Sequence, residues 1–330
     1  GCSTTYIFPN FLLVPFGETE FSRVNIVDAM LTTLFVCFVC YHLTVADSRK
    51  CYPDWESIEN FTQSLTGYAI KPDDSQYQNI SMMKNSLYNR HPGMIVIAKS
   101  VQDVQKSVLF ARKYNLHVTV RSSGHDYNGR STADGSLMID LSSMKEITIN
   151  LHSSRHNAGE VTLDSGNSWL RIYKMVQSVD RVVVGGSSHT VSPGGYTLGG
   201  GHSPISRSFG LASDQVLEMK VVVADGRIID CTANGSRVYY DNGTFQNTND
   251  TDLFWALRGG GGGTYGIVVK FTYKLHYQPR QLVKMVIIAP MYVLTPGYWS
   301  GYYFLEGFNN FVKDLSSDYG GYLILDNFPP

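Results

Sequence analysis

The chain has 330 residues, 43% of them hydrophobic and 17% charged, which is the composition of a packed globular protein and is long enough for one large domain or two ordinary ones. With 27 Lys and Arg against 28 Asp and Glu the net charge is -1, so there is no basic field to hold a phosphate backbone. Nucleic acid is therefore not expected as a partner.

The sequence starts at Gly1, and the stretch before Met30 has no clear helical or alternating pattern, so it reads as a precursor remnant. Leu31 to Val45, "LTTLFVCFVCYHLTV", is apolar but broken by threonines and His42. It is shorter than the ~20 residues needed to cross a bilayer. A signal-peptide core fits it, with Met30 as the start and processing near Val45 to Ser48, although no Lys or Arg lies between Met30 and that core. A signal anchor and a buried core helix are the other readings. The expectation is a secreted protein without a stable membrane span.

Asn-x-Ser/Thr triplets at Asn60, Asn79, Asn234, Asn242 and Asn249 agree with the secretory route. Three of them cluster between Asn234 and Thr251, a polar stretch that reads as an exposed loop. Of the five cysteines, Cys2 lies in the remnant and Cys37 and Cys40 in the apolar run. Cys51 and Cys231 are left, either as a disulfide or as two buried thiols. No Cys/His spacing suggests a metal site.

From Ser57 to Leu87 polar residues dominate, and Met94 to Ala98 then reads as a short buried strand. Val101, Val104, Val108 and Ala111 share one helical face, with Ser100 as the cap. Leu116 to Val120 is the next strand, completing a βαβ-like unit. Strands follow at Ser136 to Leu141, Glu146 to Leu151 and Gly159 to Asp164, then a helix from about Ser168 to Gln177. Val182 to Asp214 is dense in glycine, but the glycines alternate with aromatic and β-branched residues, which predicts ordered backbone against a flat ligand rather than a linker. Strands at Val216 to Ala224 and Arg227 to Cys231, a short helix, five glycines and a long strand complete this part. The character changes near Gln278, where a domain boundary is expected, and Pro296 to Leu315 reads as an aromatic-rich helix. The fold class is mixed α+β.

Gly261 to Gly266 matches the dinucleotide fingerprint G-x-G-x-x-G. That fingerprint needs a strand before it and a helix after it, so that the helix N-terminus meets the pyrophosphate. Here the order is reversed, which argues against a Rossmann site. The peptide "RSSGHDYNG", Arg121 to Gly129, is a better anion cradle: two hydroxyls, a glycine for close approach, and no acid before Asp126. Its His125 reads, by residue statistics alone, as a hydrogen-bonded loop histidine.

Three motifs in this order, "VTVRSSGHDYNG", "SSHTVSPGGYTLGGGHSPISRSFGLASDQV" and "DLFWALRGGGGGTYGIVVKF", resemble the flavin-binding domain of the vanillyl-alcohol-oxidase superfamily, in its berberine-bridge-enzyme-like branch. The resemblance covers about residues 85 to 275. It implies a PCMH-type FAD-binding domain over 51–278, with α+β subdomains over about 85–150 and 151–278, and the start of a truncated substrate domain with an antiparallel sheet and helices over 279–330. It implies FAD held by Arg121, Ser122, Ser123, Gly124, His125 and Asp126, with the amides of Ser122 to Asp126 on the diphosphate. Ser188, Thr190, Val191, Gly195, Gly199, Gly200, Gly201, Ser203, Gly266 and Ile267 would line the remainder, and His125 would carry the ring covalently.

Many relatives have Cys-Pro-Thr-Val where this chain has Ser188-His189-Thr190-Val191. That cysteine makes a second link to the ring, and serine cannot form a thioether, so a single attachment through His125 is expected. Valine at position 191 goes with oxidase behaviour. The resemblance implies hydride transfer from a small-molecule substrate, an alcohol or amine carbon, to FAD, and then to oxygen as hydrogen peroxide. A dehydrogenase with another acceptor and a non-catalytic flavin-binding glycoprotein stay open beside it. His189 and His202 either approach the ring or tie loops. Tyr292, Tyr298, Trp299, Tyr302, Tyr303 and Phe304 line a substrate cavity or, more simply, bury a helix on a sheet. No catalytic base and no oligomeric state is assigned by the sequence.

Overall fold

The computed structural model describes residues 52–240, 243–281, 283, 285–286, 300–321 and 323–324. The first sheet is built around a parallel core. Strands β2 (Met94–Ile97), β4 (Leu137–Asp140) and β3 (Val118–Arg121) lie side by side in parallel, with β1 (Tyr68–Ile70) antiparallel on the β2 edge. Every residue of β2 and β4 is buried, as expected of parallel strands covered on both faces. One face packs on α1 (Trp55–Gln63) and α3 (Val101–Lys113), where Phe61 stacks on Phe110 with centroids 4.2 Å apart. The other holds Ile70, Ile95, Ile97 and Met138 against Tyr77 of α2 (Tyr77–Ser81).

Ser100 caps α3 as its position predicts, in a reciprocal box with Asp103. Asp103 also binds the preceding loop: its buried carboxylate accepts the amides of Thr66 at 2.7 Å, Gly67 at 3.0 Å, Lys99 at 2.9 Å and Ser100 at 3.2 Å. Burial pushes this carboxyl up, and the four donors outweigh it, holding it below the usual range.

The second sheet has seven antiparallel strands: β5 (Ile147–Asn150), β6 (Glu160–Asp164), β8 (Val216–Val222), β9 (Ile228–Thr232), β10 (Gly235–Tyr239), β11 (Phe245–Thr248) and β12 (Ile267–Lys274), in the order β11-β10-β9-β8-β12-β6-β5. A two-residue pair, β7 (Arg181–Val182) with β13 (His276–Tyr277), lies beside it. One face of the large sheet buries Met219, Val221, Phe271 and Tyr273 under Trp169 and Ile172 of α4 (Trp169–Gln177) and Phe254 and Leu257 of α7 (Asp252–Leu257). Its other face, through Val222, Ile267 and Val269, meets Val104 and Val108 of α3 and Ile139 of β4. Alternate residues of β12 thus serve two cores.

Two regions depart from expectation. The stretch 57–87 carries α1, β1 and α2, and the expected loop after Asn234 is the β10-β11 hairpin. β11 is an edge strand whose residues are nearly all exposed, so it lacks the buried alternation that marks a strand. Asn60, Asn79, Asn234 and Asn249 are exposed; Asn242 lies outside the described residues. Cys231 is a free thiol buried in the β9 core and pushed up to about 12 by burial and by Asp230. Cys51 and the signal-peptide-like run lie outside the described residues, as does most of 282–299 beyond the boundary expected near Gln278. Among the described residues no helix is long and apolar enough to cross a membrane, and no group of three metal-ligating side chains occurs.

Candidate flavin site

β3 ends at Arg121, and the chain turns at once into the Ser122 to Asp126 loop. Arg121 and Asp140 anchor that turn. Both are buried, and the guanidinium reaches Asp140 through Nε at 2.7 Å and Nη2 at 2.5 Å. Nη1 donates to the carbonyls of Ile80 and Met82. The Arg121 side chain therefore faces the interior and fixes the loop from behind, in place of reaching out with its neighbours.

Gly124 turns the loop at φ +74°, a conformation that glycine adopts without penalty. Among the described residues, the amides of Ser123, Gly124 and His125 donate to no protein acceptor. Asp126 does not oppose an anion there: it folds back to accept the amides of Asn128 and Arg130 at 3.2 and 2.7 Å and pairs with the Arg130 guanidinium.

The glycine-rich segment comes to this loop. Ser192 donates its amide to Ser123 Oγ at 3.1 Å, and a Cβ on Gly194 would stand 2.5 Å from Ser122 Oγ. His125 Nε2 lies 2.9 Å from Thr190 Oγ1. The half-buried imidazole is held below the usual histidine range, first by burial and then by the charge of Lys84. The segment is itself fixed on α4, whose first amides have no partner within the helix: Trp169 donates to the Val191 carbonyl at 3.0 Å and Leu170 to that of His189 at 3.2 Å.

The third motif closes on the second. α5 (Pro193–Leu198) is anchored below by Thr197 Oγ1 on Tyr273 Oη at 2.6 Å, and its Leu198 carbonyl accepts the Gly261 amide at 2.8 Å. Gly200 and Gly201, at φ +101° and +78°, turn back so that their carbonyls take the amides of Ser213 and Ala212. Gly266 needs its missing side chain, since a Cβ would meet Val221 Cγ1 at 2.8 Å, and it delivers Ile267 into β12. α7 precedes the glycine run and β12 follows it, so no helix N-terminus receives a pyrophosphate there.

The second motif thus touches both of the others, the first through Ser192 and Gly194 and the third through Leu198, and the backbone brought together there fits a flat dinucleotide with a diphosphate. At Gly195, Gly261 and Gly263 an added Cβ would enter open space, so these positions present bare backbone to whatever lies alongside. Ser188 and Thr190 are exposed and Val191 is half-buried at this wall. Ser203 is buried and donates its amide to Ser206 Oγ at 2.9 Å, while Gly199 closes α5. His189 and His202 tie loops through their carbonyls, His202 accepting from Tyr196 Oη at 2.6 Å.

A model of the FAD binding domain family matches residues 92–232. This stretch is similar to FAD binding domains, and the relatives that follow are flavoproteins of the vanillyl-alcohol-oxidase (VAO) and BBE-like types. A VAO-type flavoprotein oxidase of Thermothelomyces thermophilus is 37% identical over 189 residues, which is 56% of this chain and 30% of that protein. Among solved structures, 6-hydroxy-D-nicotine oxidase of Arthrobacter nicotinovorans superposes with a TM-score of 0.58 at 30% identity, covering 66% of this chain and 44% of that one. A BBE-like protein of Physcomitrella patens gives 0.58 at 25% identity, covering 67% and 44%. The chain spans less than half the length of each of these proteins.

Sequence reasoning missed the wall formed by 80–85. The Lys84 amide donates to the Gly124 carbonyl at 3.2 Å, and Asn85 Nδ2 to the Tyr127 carbonyl at 2.9 Å. These residues sit in a polar stretch with no periodicity, which carries no signal of a binding wall. Of the aromatic candidates, Tyr292, Tyr298 and Trp299 lie outside the described residues. In α8 (Ser300–Asp314) Tyr303 is exposed and Phe304 faces Phe308 at 6.5 Å between centroids, with no side chain described as buried.

Proposed function

We propose that this chain is the flavin-holding part of a secreted FAD-linked oxidase, with FAD bound covalently through His125 alone. The observation that supports it most is the contact of the second glycine-bearing motif with both of the others, with the His125 imidazole against its Thr190. The amides of Ser123 to His125 would hold the diphosphate, and the backbone at Gly195, Gly261 and Gly263 would let the cofactor approach without a side chain between. Val191 and Thr190 would border the ring, with Ser188 leaving its edge free of a second bond. Bound FAD would supply a two-electron acceptor for hydride from an alcohol or amine carbon, with oxygen as the final acceptor.

This chain's own contribution is to bind, orient and keep polar side chains off the cofactor's path. Exposed Asn60, Asn79, Asn234 and Asn249 suit glycan addition on the secretory route. A spectral assay tests the reading. Addition of sugars and small alcohols without air should bleach a yellow protein, and air should restore the colour with release of hydrogen peroxide. Bleaching without peroxide would replace the oxidase with a dehydrogenase. A colourless protein that takes up no FAD would end the proposal.

A further inference from the structure

The Thr190 hydroxyl is the one hydrogen-bond partner that the His125 ring has among the described residues, and it meets Nε2 rather than Nδ1. We infer that Thr190 is a positioning residue for flavin attachment: it holds the Nε2–H form of His125 and so directs Nδ1 to bond the cofactor. The inference rests on the covalent reading above.

A histidine attacks carbon only through a nitrogen that carries a lone pair and no proton. Two features favour that state here. Burial and the charge of Lys84 both lower the pKa of the imidazole, which favours the neutral ring with a single proton. The groups around it are Lys84 from the 80–85 wall, Asp126 and Arg130, which satisfy each other on its own loop, and Tyr127, whose ring lies 6.5 Å away edge-on. None of these is hydrogen-bonded to Nδ1. With the proton on Nε2 donated to Thr190, the Nδ1 lone pair is free. With the proton on Nδ1, the free lone pair would be turned into Thr190 and away from any ligand.

Nδ1 would form the bond to the ring's methyl carbon as that methyl group and Nε2 each give up one proton, and bound FAD would supply the acceptor for the electron pair, which molecular oxygen would take up with the two protons as hydrogen peroxide. Exposed Thr190 accepts from Nε2 throughout, stabilising positive charge as it grows on the imidazole and passing the proton to solvent. Its backbone is fixed independently by the flanking His189 and Val191 carbonyls on α4, so removing the hydroxyl should leave the wall in place.

The test uses the protein produced under riboflavin starvation, incubated with FAD in air, with acid-precipitable flavin followed over time. Thr190→Val should slow attachment about tenfold, the equivalent of about 1.4 kcal/mol in the barrier, when the acid-stable flavin is expressed as a fraction of the FAD each variant binds before acid treatment. Thr190→Ser should restore the rate. Ring-proton NMR of the isolated flavinyl peptide should show substitution at Nδ1. A Thr190→Val protein that attaches flavin as fast as the parent, or a linkage through Nε2, would overturn this inference and leave covalent attachment standing. A parent protein that binds FAD and never retains it in acid would overturn both.

Discussion

Removing the Asp140 carboxylate should be among the most damaging single changes near the site. Asp140→Ala leaves the Arg121 guanidinium, 8% exposed, without its counter-charge while Nη1 stays tied to the carbonyls of Ile80 and Met82. Stranding one member of a buried ion pair costs about 3–5 kcal/mol. The carboxylate also caps the Ser142 amide at 2.7 Å, which adds about 1 kcal/mol. At about 2–4 °C per kcal/mol the midpoint should fall by roughly 8–24 °C. Replacing both partners, Arg121→Met with Asp140→Leu, removes the stranded charge and should recover part of this loss, though the Ile80 and Met82 carbonyls then lose a donor. Urea unfolding of the parent, both single variants and the double variant gives the coupling energy. A cost below about 1 kcal/mol for Asp140→Ala, or a double variant no more stable than that single one, would refute the reasoning.

Gly124→Ala tests the strain at the loop. A non-glycine residue at φ +74° costs roughly 1–2 kcal/mol, and the same change should weaken FAD retention because relief of strain moves the free amides. Unchanged stability and retention would show that the turn is not needed. His276 is pulled down to about 4 by burial, then by His156 and Lys274, so acid should destabilise the fold. Since the unfolded ring takes a proton near 6.5 and the folded one only near 4, this contribution is complete above pH 6.5 and is lost as pH falls from 6.5 to 4. His276→Gln should flatten the urea midpoint over that window, and an unaltered acid limb would contradict the assignment. Cys231, buried and pushed up to about 12, should resist iodoacetamide in the native protein and react only on unfolding. Rapid native labelling would place it elsewhere.

The parts that were legible in the sequence have local causes. Ser100 with Asp103 and the apolar spacing of α3 mark a capped amphipathic helix, and the alternation in "IVVKFTYK" marks β12. The reversed helix-strand order around Gly261 to Gly266 was enough to exclude a Rossmann turn. What escaped depends on contacts distant in the chain. β11 buries no face, so its pairing with β10 leaves no pattern, and α1 buries only Phe61. Arg121 reads as a binding residue beside its loop, yet its partner Asp140 lies on the neighbouring strand, and only the parallel register that puts the two side by side reveals the anchor. Thr190 likewise reads as one of several wall residues until the docking of 188–191 on α4 turns it toward His125.

Acid precipitation of the purified protein tests the central claim most directly. Yellow flavin should stay with the pellet of the parent protein and run into the supernatant from His125→Ala, which still carries the rest of the groove. Flavin released from both, or retained by both, would show that His125 does not hold the ring.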